Sequence, residues 1–166
     1  MEQIYLMARY SRYQEMQHVA RHIEARGHVV VSRWIRGEHE ASDEAIATGT
    51  LGLLERQFAL EDLQDLASAT CCVSFSERSR TPSRGGRHVE FGLALAMGKR
   101  LIAVGGSEHV FHALPQVEHV HDLAALLTLI EKSSTVFLAK NHMPPQCGKH
   151  QGGTDHSIDT EGLCHG

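Results

Sequence analysis

Ile4-Tyr5-Leu6-Met7 is a short apolar run, followed by a polar stretch from Ala8 to Arg12 and then by Met16, Val19, Ala20 and Ile23, which fall on one helical face. The pattern predicts a strand, a loop and a helix. Gly27 stops the helix as a C-terminal cap would, and His28-Val29-Val30-Val31-Ser32 reads as a buried β-branched strand. Residues 1–32 therefore read as a βαβ unit. Such a unit implies parallel strands joined by a right-handed crossover, so the loops at the carboxyl ends of the strands share one edge of the sheet.

The stretch from Arg36 to Thr50 is charged and small without a strong period, and reads as an excursion over the surface. From Leu51 the apolar positions Leu51, Leu54, Ala59, Leu63 and Leu66 predict a helix to about Ala67, and Thr70 to Phe75 is the third strand. A breaker-rich loop follows, Ser76 to Gly86. Val89, Leu93 and Met97 then mark a helix over Arg87 to Gly98, and Leu101-Ile102-Ala103-Val104 is the fourth strand, closed by Gly105-Gly106. Asp122 caps a last helix carrying Leu123, Leu126, Leu127 and Ile130 at i, i+3, i+4 and i+7. The fold class is α/β: a single-domain parallel-sheet, Rossmann-like (flavodoxin-like) three-layer sandwich over residues 1–140. Residues 141–166 hold two of the 4 prolines and five of the 15 glycines, cannot bury much, and are expected to form a flexible C-terminal tail.

The composition fits one ordinary globular domain: 166 residues, 42% hydrophobic and 22% charged. Its net charge of -4 gives no general attraction to nucleic acid polymers or anionic membranes, so a small ligand is the better default. No apolar run approaches the roughly 18 residues needed to span a bilayer, and the first residues lack a basic region followed by an apolar stretch, so the chain is expected to be cytoplasmic with no membrane partner. Cys71 and Cys72 lie inside the apolar run Ala69 to Phe75 and read as buried, reduced thiols. The tail gathers His142, Cys147, His150, His156, Cys164 and His165, residue types that zinc favours, but their spacing fits no tight ligand pattern. No metal and no cofactor are expected.

The most informative segment is SRGGRHVEFGLALAMGK, residues 83–99, where a glycine pair leads from the loop after the third strand into a helix. Gly85 and Gly86 expose backbone N–H groups, the helix start adds orphan donors and a positive dipole, and Arg84 and Arg87 add charge, so the segment is a candidate phosphate cradle. It matches neither GxxxxGK[ST] nor GxGxxG, and a glycine turn capping a helix with solvated arginines explains it equally well. Glu90 sits one turn into this helix, where the dipole favours the ionised carboxylate. An ionised carboxylate at the ligand edge of a sheet can attack a sugar carbon, while a glutamate there can also simply serve the helix. Asp62 and Asp65, three apart, share a helix face and suit either acid/base work or a solvated surface. Trp34, the 1 tryptophan, follows the second strand and either stacks on a planar base or belongs to the core.

The block Gly86-Arg87-His88-Val89-Glu90-Phe91-Gly92-Leu93-Ala94, followed by Gly98-Lys99, resembles the G-x-x-x-E-x-G-x-A helix start of the nucleoside 2-deoxyribosyltransferase-like superfamily, which includes the nucleoside deoxyribosyltransferases and the nucleoside 5'-monophosphate N-glycosidases. The opening strand Ile4-Tyr5-Leu6 with its polar loop, and Asp62-Leu63 upstream of the third strand, extend the resemblance over roughly residues 4–104. The chain departs from the family pattern in having Ala8-Arg9 where many relatives have a glycine, and Ala69-Thr70 where Ala-Asp is usual. The resemblance implies Glu90 as nucleophile on the anomeric carbon, Asp62 as the acid beside the departing base, and Tyr5 lining the pocket. It places Ser83, Gly85 and Gly86, with Arg84 and His88 beside them, where a 5'-phosphate is held, and Arg9, Ser11 and Arg12 in the loop that encloses the sugar phosphate. Trp34 and His39 lie in the region that would set base specificity.

The implied activity is cleavage of the N-glycosidic bond of a (deoxy)nucleoside 5'-monophosphate through a glycosyl-enzyme intermediate, releasing free base. The arginines and serine of these loops favour a monophosphate over a nucleoside. A nucleoside 2-deoxyribosyltransferase and a non-catalytic nucleotide-binding module are the alternatives. The resemblance also implies a homodimer or higher homo-oligomer.

Overall fold

The computed structural model describes residues 1–37, 51–77 and 85–140. Five strands form one all-parallel sheet: β1 (Gln3–Met7), β2 (Val29–Val30), β3 (Cys71–Phe75), β4 (Arg100–Val104) and β5 (Val117–Val120), in the order β2-β1-β3-β4-β5. The central strands β1, β3 and β4 are nearly continuous runs of buried apolar side chains because helices cover both faces of the sheet. Helices α1 (Tyr13–Glu24) and α4 (Leu123–Lys140) pack together on one face, and α2 (Leu51–Ser68) and α3 (Gly86–Ala96) on the other. On α1 the buried residues are Met16, Val19, Ala20 and Ile23, the stripe that the 3.6-residue period requires. This is the doubly wound α/β sandwich expected from the alternation of strands and helices. Its chain crosses from one side to the other between β1 and β3, the place where such sheets open a ligand crevice at the carboxyl ends of the strands.

The strand β5 is a correction to the expectation of four strands. Its residues Val117-Glu118-His119-Val120 run along the sheet edge, where only Val117 is fully buried, so the hydrophobic signal that marks the central strands is missing. Glu118 instead receives the guanidinium of Arg100 on β4, with Nε–Oε1 at 2.6 Å.

The expected second strand, His28 to Ser32, shortens to Val29–Val30, because the chain turns away and side chains take over the pairing of β1. The Leu6 N–H donates to Ser32 Oγ (2.6 Å), and the Trp34 indole N–H donates to the Leu6 carbonyl (2.9 Å). Arg33, between them, is fixed to α2: its backbone N–H donates to Asp65 Oδ2 (2.8 Å), its Nε to Asp65 Oδ1 (2.8 Å) and its Nη2 to the Glu61 carbonyl (3.0 Å). Asp65 is thus a structural acid that joins β2's exit to α2. Asp65→Ala is expected to leave this partly buried guanidinium and an amide without their acceptor, costing about 2–3 kcal/mol and lowering Tm by about 5–10 °C in a calorimetric melt.

Candidate active site

Three side chains from different elements meet on the face covered by α2 and α3: Tyr5 from β1, Asp62 from α2 and Glu90 from α3. Tyr5 lies wholly inside the protein. Burial first, then the charges of Glu90, Asp62 and Asp65, hold its phenol far above the ordinary range. The hydroxyl is sealed from solvent and turned toward Asp62, short of a hydrogen bond of good geometry. A phenol that stays protonated at every working pH remains a hydrogen-bond donor.

Glu90 reverses the expectation of an ionised first-turn carboxylate. Burial and then the charge of Asp62 push it up to about 8 from an ordinary value of 4.5, while Arg87 pulls the other way. The helix dipole fades within its first turn, and Glu90 stands beyond that turn of a helix beginning at Gly86, so desolvation and the neighbouring acid win. Arg87 is also spent elsewhere: it is buried and forms a two-pronged ion pair with Glu108, with Nη2–Oε1 at 2.8 Å and Nη1 on Oε2. The protein therefore holds two carboxylates close enough for the charge of one, Asp62, to raise the proton affinity of the other, Glu90. A carboxyl group raised by burial and by a neighbouring acid, beside a buried phenol, is the kind of environment in which acid/base and nucleophilic groups are found. Cys72, within reach of the Glu90 charge, is pushed up to about 12, chiefly by burial, and is an inert core thiol, as is Cys71.

The candidate ligand loops surround the carboxyl edge. Gly85 takes the left-handed conformation (φ +86°) at the N-cap of α3, and its carbonyl accepts the N–H groups of His88 (2.9 Å) and Val89 (3.2 Å), which turns the chain into the helix and leaves Gly86 exposed. Arg9 caps the short 3-10 turn Tyr10–Arg12 after β1, and Ser11 is exposed. Arg12 is occupied by Glu15 (Nη2–Oε1 2.7 Å) and Glu77 (Nη1–Oε1 2.9 Å), and donates to the Ser76 carbonyl (3.2 Å), so it ties the β1 loop to the end of β3. The His88 ring lies 5.0 Å from that of His109. Ser83, Arg84 and His39 lie outside the described residues, as does the tail 141–166.

Trp34 belongs to the core: it is 5% exposed, its N–H is spent on Leu6, and its ring lies 6.5 Å from that of Tyr10 in the β1 loop. An open groove of about 360 Å³, lined by Arg33, Leu53, Arg56 and Leu60 among others, runs along the outer side of α2 and includes neither Asp62 nor Glu90. Thr70, the departure before β3, exchanges hydrogen bonds with the Gln3 backbone (3.1 and 3.2 Å) and serves the sheet. Lys99 caps the end of α2, donating to the carbonyls of Ala67 (2.6 Å) and Ala69 (2.7 Å). Glu77 and Glu108 were not among the sequence candidates; the one signal available was Gly105-Gly106, a second glycine pair at the end of a strand.

Among the described residues, no group of three or more His, Cys, Asp or Glu is placed to hold a metal ion, and no helix is long and apolar enough to cross a membrane. No family model matches the sequence, and no curated protein matches it. A solved structure does: that of the Clostridium botulinum CMP N-glycosidase BcmB is similar over 78% of this chain and 98% of that one, at 18% identity and a TM-score of 0.51. At that identity the similarity shows the shared α/β fold.

Proposed function

We propose that the protein cleaves the N-glycosidic bond of a (deoxy)nucleoside 5'-monophosphate and releases the free base. The observation that carries this reading is the meeting of Asp62 and Glu90 beside Tyr5, with Glu90 held up near 8 by burial and by Asp62. The similar Clostridium botulinum protein, a CMP N-glycosidase, supports the same class of reaction.

Near neutral pH the raised Glu90 keeps its proton for most of the time, and the reactive form is the tautomer in which that proton has passed to Asp62 and Glu90 is the carboxylate. The Glu90 carboxylate attacks C1' of the sugar, the C1'–N bond breaks, and the base leaves with the bonding electrons and takes the Asp62 proton. The product is a glycosyl ester on Glu90. Asp62, now ionised, removes a proton from water, whose oxygen attacks C1' and frees the sugar phosphate and the Glu90 carboxylate. Tyr5 orients the Asp62 side. The N-terminus of α3 at Gly85-Gly86 and Arg9 after β1 favour a 5'-phosphate as the group held at the sheet edge.

The test is incubation of the purified chain with ribo- and deoxyribonucleosides and their 5'-monophosphates, with and without an acceptor base, with the products resolved chromatographically. Free base from monophosphates alone is the expected result. A new nucleoside formed only with acceptor replaces hydrolysis by transfer, and tight binding without turnover reduces the protein to a binding module. Homo-oligomerisation belongs to the same proposal. The exposed side chains Leu53, Leu60 and Leu63 on α2, Val89 on α3 and Met97 at its C-cap offer an apolar face for it, and a monomeric mass in light scattering would remove it.

A further inference from the structure

The chain leaves the sheet after β3 at Ser76-Glu77 and returns at Gly85 to begin α3. Both ends of this connection are held by one carboxylate. Glu108, in the segment between β4 and β5, accepts the Glu77 backbone N–H on Oε1 (3.1 Å) and pairs with Arg87 through both of its oxygens. The pair is well shielded, with 4% and 15% of the Arg87 and Glu108 side chains exposed. The two strand ends are also pressed together directly. Ser76 Oγ donates to the Gly106 carbonyl, and Gly105 takes a φ of +98° where a Cβ would stand 3.3 Å from that of Ser76.

Glu108 is itself held from behind. Its backbone N–H donates to His112 Nδ1 (3.4 Å), which places the proton of the neutral ring on Nε2. His112 is completely buried, its Nε2 has no hydrogen-bond partner among the described residues, and its carbonyl accepts from His119 Nε2 (2.7 Å). Its ring packs 4.0 Å from that of His109 and 4.8 Å from Phe91.

We propose that Glu108 is a positioning residue: it sets the N-terminus of α3 against the end of β3, and His112 must be uncharged for Glu108 to stay in place. The use made of this clamp, holding the phosphate of a nucleotide at Gly85-Gly86, rests on the function proposed above; the clamp itself does not.

The groups that face the histidines all oppose a proton except the carboxylates. Arg87 and His88 approach from α3, His109 from the same connection and His119 from β5, against the carboxylate of Glu108. Burial, then the neighbouring His109, lowers His112 to about 4 from an ordinary 6.5, and burial with His88 lowers His109. A native value below the ordinary one means that the folded protein binds fewer protons than the unfolded chain. The cluster's contribution is therefore complete above about pH 6.5 and is lost as pH falls through about 4. Protonation puts a hydrogen on Nδ1, so two donors face each other at the Glu108 N–H and the clamp loses its backing.

The test is hydrogen–deuterium exchange on the full chain, with the β4 peptide 100–104 as internal reference for global opening. In Glu108→Gln, which keeps an acceptor for the Glu77 N–H but removes the charge facing Arg87, exchange at residues 76–77 and 86–89 is expected to rise at least tenfold over the reference. In wild type the same peptides respond to a change from pH 7.5 to 5 after correction for intrinsic rates, and in His112→Gln that response is expected to vanish. Equilibrium dialysis with CMP and with cytidine is then expected to show CMP binding weakened at least tenfold by Glu108→Gln and cytidine binding unchanged. Unaltered exchange in Glu108→Gln overturns the clamp whatever CMP does. An acid response that persists in His112→Gln overturns the histidine's part. Altered exchange in Glu108→Gln, beside a wild-type protein that binds neither CMP nor cytidine, upholds the clamp and removes CMP as the nucleotide it serves.

Discussion

Replacement of Glu90 by glutamine is expected to lower kcat/KM for base release by a factor of about 10³ or more while making the protein more stable at alkaline pH. The first effect follows from the nucleophile role proposed for Glu90, since removing a nucleophile normally costs several orders of magnitude. The second follows from linkage. Glu90 has a native value of about 8 against an ordinary 4.5, so the folded protein holds its proton more tightly than the unfolded chain does. Ionisation of Glu90 therefore leaves stability untouched below about pH 4.5, erodes it between there and 8, and imposes its full cost above. Glutamine carries no such cost. Allowing for the side chain's partial access to solvent, the gain is about 1–2 kcal/mol, or about 3–6 °C in Tm at pH 8.5, and it disappears at pH 4.5. Melting curves of the two proteins across this range check it. An inactive variant that melts above its parent separates loss of chemistry from loss of fold.

Asp62→Asn is expected to lower kcat by a factor of about 10² to 10³ and to change the shape of the pH profile. In the parent protein, base release is expected to fall above about pH 8, where Glu90 gives up its proton and, on the proposed mechanism, no acid remains for the departing base. In the variant the acid is missing at every pH and the like charge beside Glu90 is gone. Glu90 then ionises at a lower pH, and the residual activity rises with pH to a plateau with no alkaline fall. Initial rates from pH 5 to 9.5 with saturating nucleotide distinguish the two profiles. A variant profile that keeps its alkaline limb would assign that limb to another group.

The framework was legible in the sequence because its signals are local. Ile4 to Met7, Cys71 to Phe75 and Leu101 to Val104 are apolar on both faces of the strand, and Met16, Val19, Ala20 and Ile23 repeat at the helical period. The candidates Asp62 and Glu90 came from two separate stretches, Asp62-Leu63 upstream of the third strand and the helix start from Gly86 to Ala94, and the fold brings the two side chains within reach of each other's charge. The proton state of Glu90 was not legible, because it depends on depth in the protein and on an acid from another helix.

The same limit hid the supporting residues. Ser32 replaces a strand partner for Leu6 across 26 positions, Asp65 holds Arg33 across 32, and Glu108 reaches Arg87 across 21. None of these distances leaves a periodic trace. Trp34 shows how a residue type can mislead: an indole after a strand suits a stacking platform, yet here its N–H completes the backbone pairing of β1. The strand β5 escaped because an edge strand mixes Glu118 and His119 between its valines.

The arrangement of charge around the sheet edge also separates two kinds of arginine that composition treats alike. Arg12 and Arg87 spend their charge on Glu15, Glu77 and Glu108, so they build the loops. Arg9 remains, among the described residues, the arginine of the β1 loop for which no ion pair is formed, and it stands with the α3 N-terminus as the candidate phosphate contact.

The central claim is a glycosyl ester on Glu90. It is tested most directly by mixing the protein with a 2'-fluoro-substituted deoxynucleoside 5'-monophosphate, whose electron-withdrawing fluorine slows hydrolysis of the ester, and measuring intact protein mass and released base after an acid quench. The account predicts one equivalent of base released and a mass increase equal to the fluorinated sugar phosphate, mapped by peptide sequencing to the segment containing Glu90. Base released with the protein mass unchanged, a label on Asp62, or no base released from this or any unsubstituted nucleotide would contradict it.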